Sequence, residues 1–262
     1  MGWAKFQEDL VSRWVNDNNA RRAPRTDAAP VQREGTAVPK QEKHMSKLKE
    51  FTTQAARPLP VVVLADVSGS MGVDGKIQAL NLAVREMIDA FKDEDDLRAE
   101  IHVSVITFGG KANVHLPLGR AAAALWTDLG ANGGTPMGAA FELASALVED
   151  RNTVPSRAYR PTLVLVSDGQ PTDEWKQQLD ALLKSERGGK AFRMALAIGA
   201  DADHAVLQEF LADAEARVYR AEEARQIRKF FQLVTMSVSA RSRSANPNVA
   251  APAADPNGGW DL

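Results

Sequence analysis

The spacing of apolar residues changes character near residue 59. From there on, short unbroken apolar runs alternate with longer stretches in which apolar residues return every three or four positions. Strand-like runs fall at 60–65, 101–108, 161–167, 192–198 and, briefly, 216–219. Helical periodicity covers 76–91, 137–149, 172–185, 204–214 and 224–239. Residues 112–118 (ANVHLPL) alternate and contain Pro117, which suits an antiparallel edge strand, where a missing N–H costs little. Apolar strands separated by helices of this length predict an α/β fold. The expected architecture is a doubly wound, mostly parallel six-stranded sheet with one antiparallel edge strand and helices on both faces. Such sheets take their ligands at the carboxyl ends of the strands, beside the point where strand order reverses.

Outside this region the pattern is different. Residues 3–16 place Trp3, Phe6, Leu10, Val11 and Trp14 on one helical face and leave Lys5, Glu8, Asp9 and Arg13 for water. Residues 17–44 are polar, aperiodic and punctuated by Pro24, Pro30 and Pro39, the composition of a flexible linker. His44-Met45 resembles a junction ahead of a second start, so residues 1–44 read either as a native helix plus linker or as an appended peptide. In both readings two tryptophans on a short helix need a surface, on the domain at 45–242 or on a neighbouring copy. Residues 243–262 predict a flexible tail ending in Trp260-Asp261-Leu262. About twenty flexible residues span roughly 25 Å, enough for Asp261 to approach the sheet edge.

Charge and composition exclude more than they assign. The 32 basic and 34 acidic residues nearly cancel, which gives no push towards nucleic acid or an anionic membrane. There is no apolar span of membrane length and no signal-peptide core at the N-terminus. The absence of cysteine removes disulfides and thiolate chemistry and fits a cytoplasmic setting.

The chemistry sits where strands end. VVVLADVSGSMG runs from a buried strand into Asp66, Ser68 and Ser70, at alternate positions that an extended segment turns to one side. A second strand ends in Asp168-Gly169. Between them, LGANGGTPMGAAFELA offers Gly133 and Gly134 for a tight loop, the Thr135 hydroxyl, and Pro136 at a helix start. Two carboxylates and three hydroxyls are hard donors that match Mg²⁺, or Mn²⁺ or Ca²⁺, and do not suit a soft metal. Two acids around a dication leave room for one further anion from elsewhere.

The stretches LPVVVLADVSGSMG, GGTPMGAAFELA, SDGQPTDEW and FFQLVTMSVSARSRS together resemble the von Willebrand factor A (VWA) domain, over roughly residues 58–242. The branch they look closest to is the TerY-like one of bacterial tellurite-resistance and stress operons. The resemblance implies a metal-ion-dependent adhesion site (MIDAS). Ser68 and Ser70 would ligate the metal, Thr135 and Asp168 would alternate between direct and water-mediated contact, and Asp66 would hold the serines from behind. Gly134, Pro136, Gly169, Asp173 and Trp175 would form the partner-binding rim. The implied function is non-catalytic: a cytoplasmic adaptor whose protein partner supplies an Asp or Glu to the metal. A serine/threonine kinase or a PP2C-type phosphatase is the implied partner.

Rival motifs fail on individual residues. An EF-hand loop needs a glutamate where Ile77 stands, and a P-loop needs glycine where Ser70 stands. SGSMG lacks the leading glycine of a nucleophile elbow. His44, His102, His115 and His204 adjoin no candidate ligand or nucleophile. A metal-dependent phosphoesterase remains the alternative function, with no general base near the site in sequence. Asp93, Glu94, Asp95 and Asp96 read as a solvated helix end, and Asp201 and Asp203 as caps of the following helix. Asp173 and Glu174 fall in the first turn of the predicted 172–185 helix, where acids favour the dipole. Trp175 is either an exposed partner anchor or core.

Overall fold

The computed structural model describes residues 56–94 and 98–249. The amphipathic 3–16 segment, the linker and the last residues of the tail lie outside the described residues. Six strands, β1 (Arg57–Asp66), β2 (Ala99–Gly109), β3 (Lys111–Arg120), β4 (Thr162–Ser167), β5 (Phe192–Ile198) and β6 (Tyr219–Ala221), form one sheet in the order β3-β2-β1-β4-β5-β6. All neighbours are parallel except β2 and β3, which pair antiparallel around Gly110 at φ 66°. The helices are α1 (Lys76–Lys92), α2 (Met137–Glu149), α3 (Lys176–Lys184), α4 (His204–Leu211) and α5 (Ala224–Arg243). The predicted α/β architecture is the one observed.

Strand alternation explains why both faces need covering. Along β1, Val61, Val63 and Ala65 join a core layer with Leu80 and Phe91 of α1 and Phe230 and Phe231 of α5. Val62 and Leu64 point the other way, into a layer with Phe141 of α2, Leu179 of α3 and Phe210 of α4. β4 and β5 divide their side chains between the layers in the same manner. A strand buried on both faces has no polar register, hence the unbroken apolar runs in the sequence. β3 shows the reverse: it is half-exposed or exposed throughout, and a register shift marks its Pro117 end.

Several boundaries differ from expectation. The last strand is Tyr219–Ala221 instead of 216–219, because Ala216 and Val218 pack against the α2–α4 layer without pairing to β5. α4 stops at Leu211, where Ala212 turns left-handed at φ 54°. α5 runs on to Arg243, four residues past the expected end, and Asp203 caps α4 as expected through the amides of Ala205 and Val206. Glu94 receives the Arg243 guanidinium at 2.6 Å.

Candidate metal centre

β1 and β4 are the two strands at the reversal of strand order, and Asp66 and Asp168 stand at their carboxyl ends. The chain leaves β1 through Val67, whose amide donates to the Phe108 carbonyl, and forms a short 3₁₀ turn at Gly69–Gly72. That turn is tied to the loop before α2. The Gly69 amide donates to the Gly133 carbonyl at 2.8 Å, and the Asn132 amide to the Val67 carbonyl at 2.7 Å. The loops cross so closely that a Cβ on Gly133 would lie 2.5 Å from the Gly110 Cα, and Gly133 itself has φ 75°. Only glycine accommodates both demands.

Side-chain geometry follows from this backbone. The Ser68 amide donates to Asp66 Oδ1 at 2.8 Å, and the Ser167 hydroxyl donates to Asp66 Oδ2 at 2.6 Å. Asp66, fully buried, therefore serves the backbone of the serine loop and the end of β4 at once. Ser68 Oγ lies 3.0 Å from Ser70 Oγ, and Ser70 donates to Asp168 Oδ1 at 2.7 Å. Thr135 is buried, with its Oγ1 3.5 Å from where a Gly169 Cβ would stand. The three loops thus bring Asp66, Ser68, Ser70 and Asp168 into one hydrogen-bonded group with Thr135 beside it. Ser70 is the exposed member.

The rim residues divide. Gly134 is exposed, and Gly169 and Pro136 are half-exposed at the mouth. Asp173 has a different task. The predicted helix at 172–185 begins only at Lys176, and the Asp173 carboxylate accepts from the Gly138 and Ala139 amides of α2, both at 2.9 Å. It caps a neighbouring helix in place of its own, an exchange that sequence spacing does not reveal. Trp175 is half-buried and packs on the α2–α4 core layer, and packing is thus the better of its two readings.

Lys76 is the charged neighbour of this group that sequence reasoning missed. Its ammonium lies 2.8 Å from Asp168 Oδ2, 92 positions away. The only local signal is a lysine at the first position of α1, where the helix dipole disfavours a cation. His102 pairs with Glu100 at 2.9 Å and His115 faces the Thr127 carbonyl at 2.9 Å, so neither contributes to the group.

Burial pushes the Asp66 carboxyl above the ordinary carboxylate range. The Asp168 charge adds to this, while hydrogen bonds from Ser167 and Ser68 oppose it. An acid whose pKa is higher folded than unfolded keeps its proton longer in the folded state. Stability therefore falls as pH rises through the window between the two values and returns on acidification. In EDTA, Asp66→Asn is expected to gain stability relative to wild type as pH rises from the ordinary carboxylate value towards neutrality. Urea melts of both proteins across that range check this; parallel curves would contradict it.

Among the described residues no three His, Cys, Asp or Glu side chains gather into a cage. A cation here would depend on the hydroxyls as well as the two acids. The donor set fits a hard ion on that basis: all its atoms are oxygens, and Ser68, Ser70 and Asp168 already lie within hydrogen-bond distance in sequence.

Comparison with known proteins agrees with this fold. Residues 61–170 match the family model described as von Willebrand factor type A domain. No curated protein matches. Among solved structures, a von Willebrand factor type A protein from Catenulispora acidiphila is 22% identical, with TM-score 0.56 over 70% of this chain and 43% of its own. Proximal thread matrix protein 1 from the mussel byssus, with a zinc-occupied MIDAS motif, is 16% identical, with TM-score 0.55 over 70% and 48%. The ArnB paralog VWA2 from Sulfolobus acidocaldarius is 17% identical, with TM-score 0.52 over 70% and 46%. At such identities the likeness establishes the fold, and the chain spans less than half the length of each of the three. No described helix is long and apolar enough to cross a membrane. The sheet built around β1 and β4 has the von Willebrand factor type A fold, and residues 61–170 at its centre match that family's model.

Proposed function

We propose that the loops after β1 and β4 hold one hard divalent cation, Mg²⁺, Mn²⁺ or Ca²⁺, and that the domain recognises protein partners through an Asp or Glu. The observation that carries this reading is the linked group Ser68–Ser70–Asp168, with oxygens 3.0 and 2.7 Å apart, at the edge where such sheets take ligands. Ser68, Ser70 and Asp168 would be the protein's donors, with Thr135 at their side. Asp66 would fix the serine loop through the Ser68 amide and keep the site's charge negative. When bound, the cation offsets the desolvation of a partner's carboxylate, which would otherwise cost several kcal/mol. Such binding depends on both metal and an acidic partner residue.

The finer reading is a bacterial adaptor of a stress or tellurite-resistance operon, with a serine/threonine kinase or PP2C-type phosphatase as partner. It rests on the TerY-like resemblance of the sequence stretches alone. A direct test is calorimetric titration of such a kinase or phosphatase into the chain. Affinity is expected to fall at least about tenfold when EDTA replaces Mg²⁺; equal affinity in both would remove the metal bridge. The phosphoesterase alternative gains no support from the histidines, since His102 and His115 are engaged elsewhere.

A further inference from the structure

We propose that Lys76 is a built-in charge of this site. Its ammonium competes with the cation for Asp168 and, with the cation in place, balances the carboxylate that a partner brings. The inference rests on the metal-dependent reading above and deepens it.

Lys76 is poorly placed for the helix it begins. It is the first residue of α1, behind Gly75 at φ 72°, which offers no capping side chain. A cation there meets the positive end of the helix dipole. What holds it is Asp168, 2.8 Å away, whose side chain is fully buried while that of Lys76 is 22% exposed. The ammonium passes over the end of β5, 3.6 Å from where a Gly199 Cβ would stand. A larger residue at 199 would crowd it, and the positive φ of Gly199 already disfavours one.

Charge counting shows what the ammonium does. Asp66 and Asp168 against Lys76 leave the group with one net negative charge. A dication turns this into one net positive charge, and an incoming carboxylate makes the assembly neutral. Without Lys76 the metal-loaded group is neutral before the partner arrives, and the partner's carboxylate would leave a net negative charge buried at the interface. Lys76 thus weakens metal binding and strengthens carboxylate binding. A lysine of purely structural importance would weaken both when replaced.

The test uses the full chain with Mn²⁺ alone, then with acetate as the carboxylate probe. Lys76→Met is expected to bind Mn²⁺ about tenfold more tightly than wild type, because one unit of like charge beside the site is gone. Water-proton relaxation of the Mn²⁺-saturated proteins then follows acetate displacing bound water. Here Lys76→Met is expected to need about tenfold more acetate than wild type. Lys76→Arg, which keeps the charge, should stay within about threefold of wild type in both titrations. Thermal melts in EDTA confirm that the variants fold. Unchanged or weaker Mn²⁺ binding by a folded Lys76→Met, equal acetate affinities, or an Arg variant that behaves like the Met variant would each overturn the inference. No acetate response in wild type would instead overturn carboxylate recognition itself, a separate failure.

Discussion

Asp168→Ala is expected to lower Mn²⁺ affinity at least about 100-fold, measured by calorimetry. In EDTA the same change should move the melting temperature by less than about 3 °C. Two carboxylates face the site, and removing one takes away half of its negative charge. A unit charge about 4 Å from another is worth about 4 kcal/mol at an effective dielectric of about 20, before any discount for solvent. Ser70 loses its acceptor in the same step, so the hydroxyl donors lose their orientation too. Stability should respond little because the cost and the relief are of similar size. Lys76 loses its partner, yet its side chain is 22% exposed and its long stem can carry the ammonium to water. Asp66 is freed of the like charge that helps raise its pKa. Mn²⁺ affinity within tenfold of wild type would remove Asp168 from the proposed site. A collapse of the melting temperature would make the Lys76–Asp168 pair a structural element.

This site was legible in sequence to the extent that it depends on local rules. A strand buried on both faces reads as an apolar run, and hydroxyls and acids at its end can only face the carboxyl edge. For that reason the pattern places Asp66, Ser68, Ser70 and Asp168 together at that edge, and β1, β2, β4 and β5 lie where the apolar runs place them. Contacts made across the fold were not legible. Asp173 reads in sequence as favouring its own helix and caps α2 instead, because Gly138 lets the 174–175 backbone come so close that a Cβ there would lie 2.3 Å from the Glu174 carbonyl oxygen. Lys76 carried only a faint local sign, its awkward place on α1. α5 runs past the last apolar residue of its pattern because the polar Arg241 and Ser242 are themselves buried.

Arg241 gives the second large effect, at the opposite edge of the sheet from the proposed metal site. Arg241 as a residue is 1% exposed, and its guanidinium reaches three acceptors: the Pro247 carbonyl at 3.0 Å, the Thr162 hydroxyl at 2.5 Å and the Arg160 carbonyl at 2.7 Å. It also lies 3.9 Å from the centre of the Phe192 ring. Burial, with the Arg160 charge nearby, pulls its pKa down to about 9, so it remains charged at neutral pH. Arg241→Met keeps the stem and part of the volume but leaves Thr162 and two carbonyls without their donor. Relief from burying a charge offsets part of that loss, so the net expectation is destabilisation of about 2–4 kcal/mol. For a domain of this size that is a drop of roughly 5–15 °C in melting temperature. Arg241→Lys should fare little better, since an ammonium cannot span the same three acceptors. The Arg160 amide, which donates to Asn248 Oδ1 at 2.8 Å, should exchange its hydrogen faster as residues 246–249 lose their anchor. Mn²⁺ affinity should not change in either variant, because Thr162 begins β4 and Asp168 lies beyond its far end. A melting temperature within about 2 °C of wild type would show that the buried guanidinium is replaceable by an apolar side chain. A loss of Mn²⁺ binding by a folded Arg241→Met would show that the two edges of the sheet are coupled.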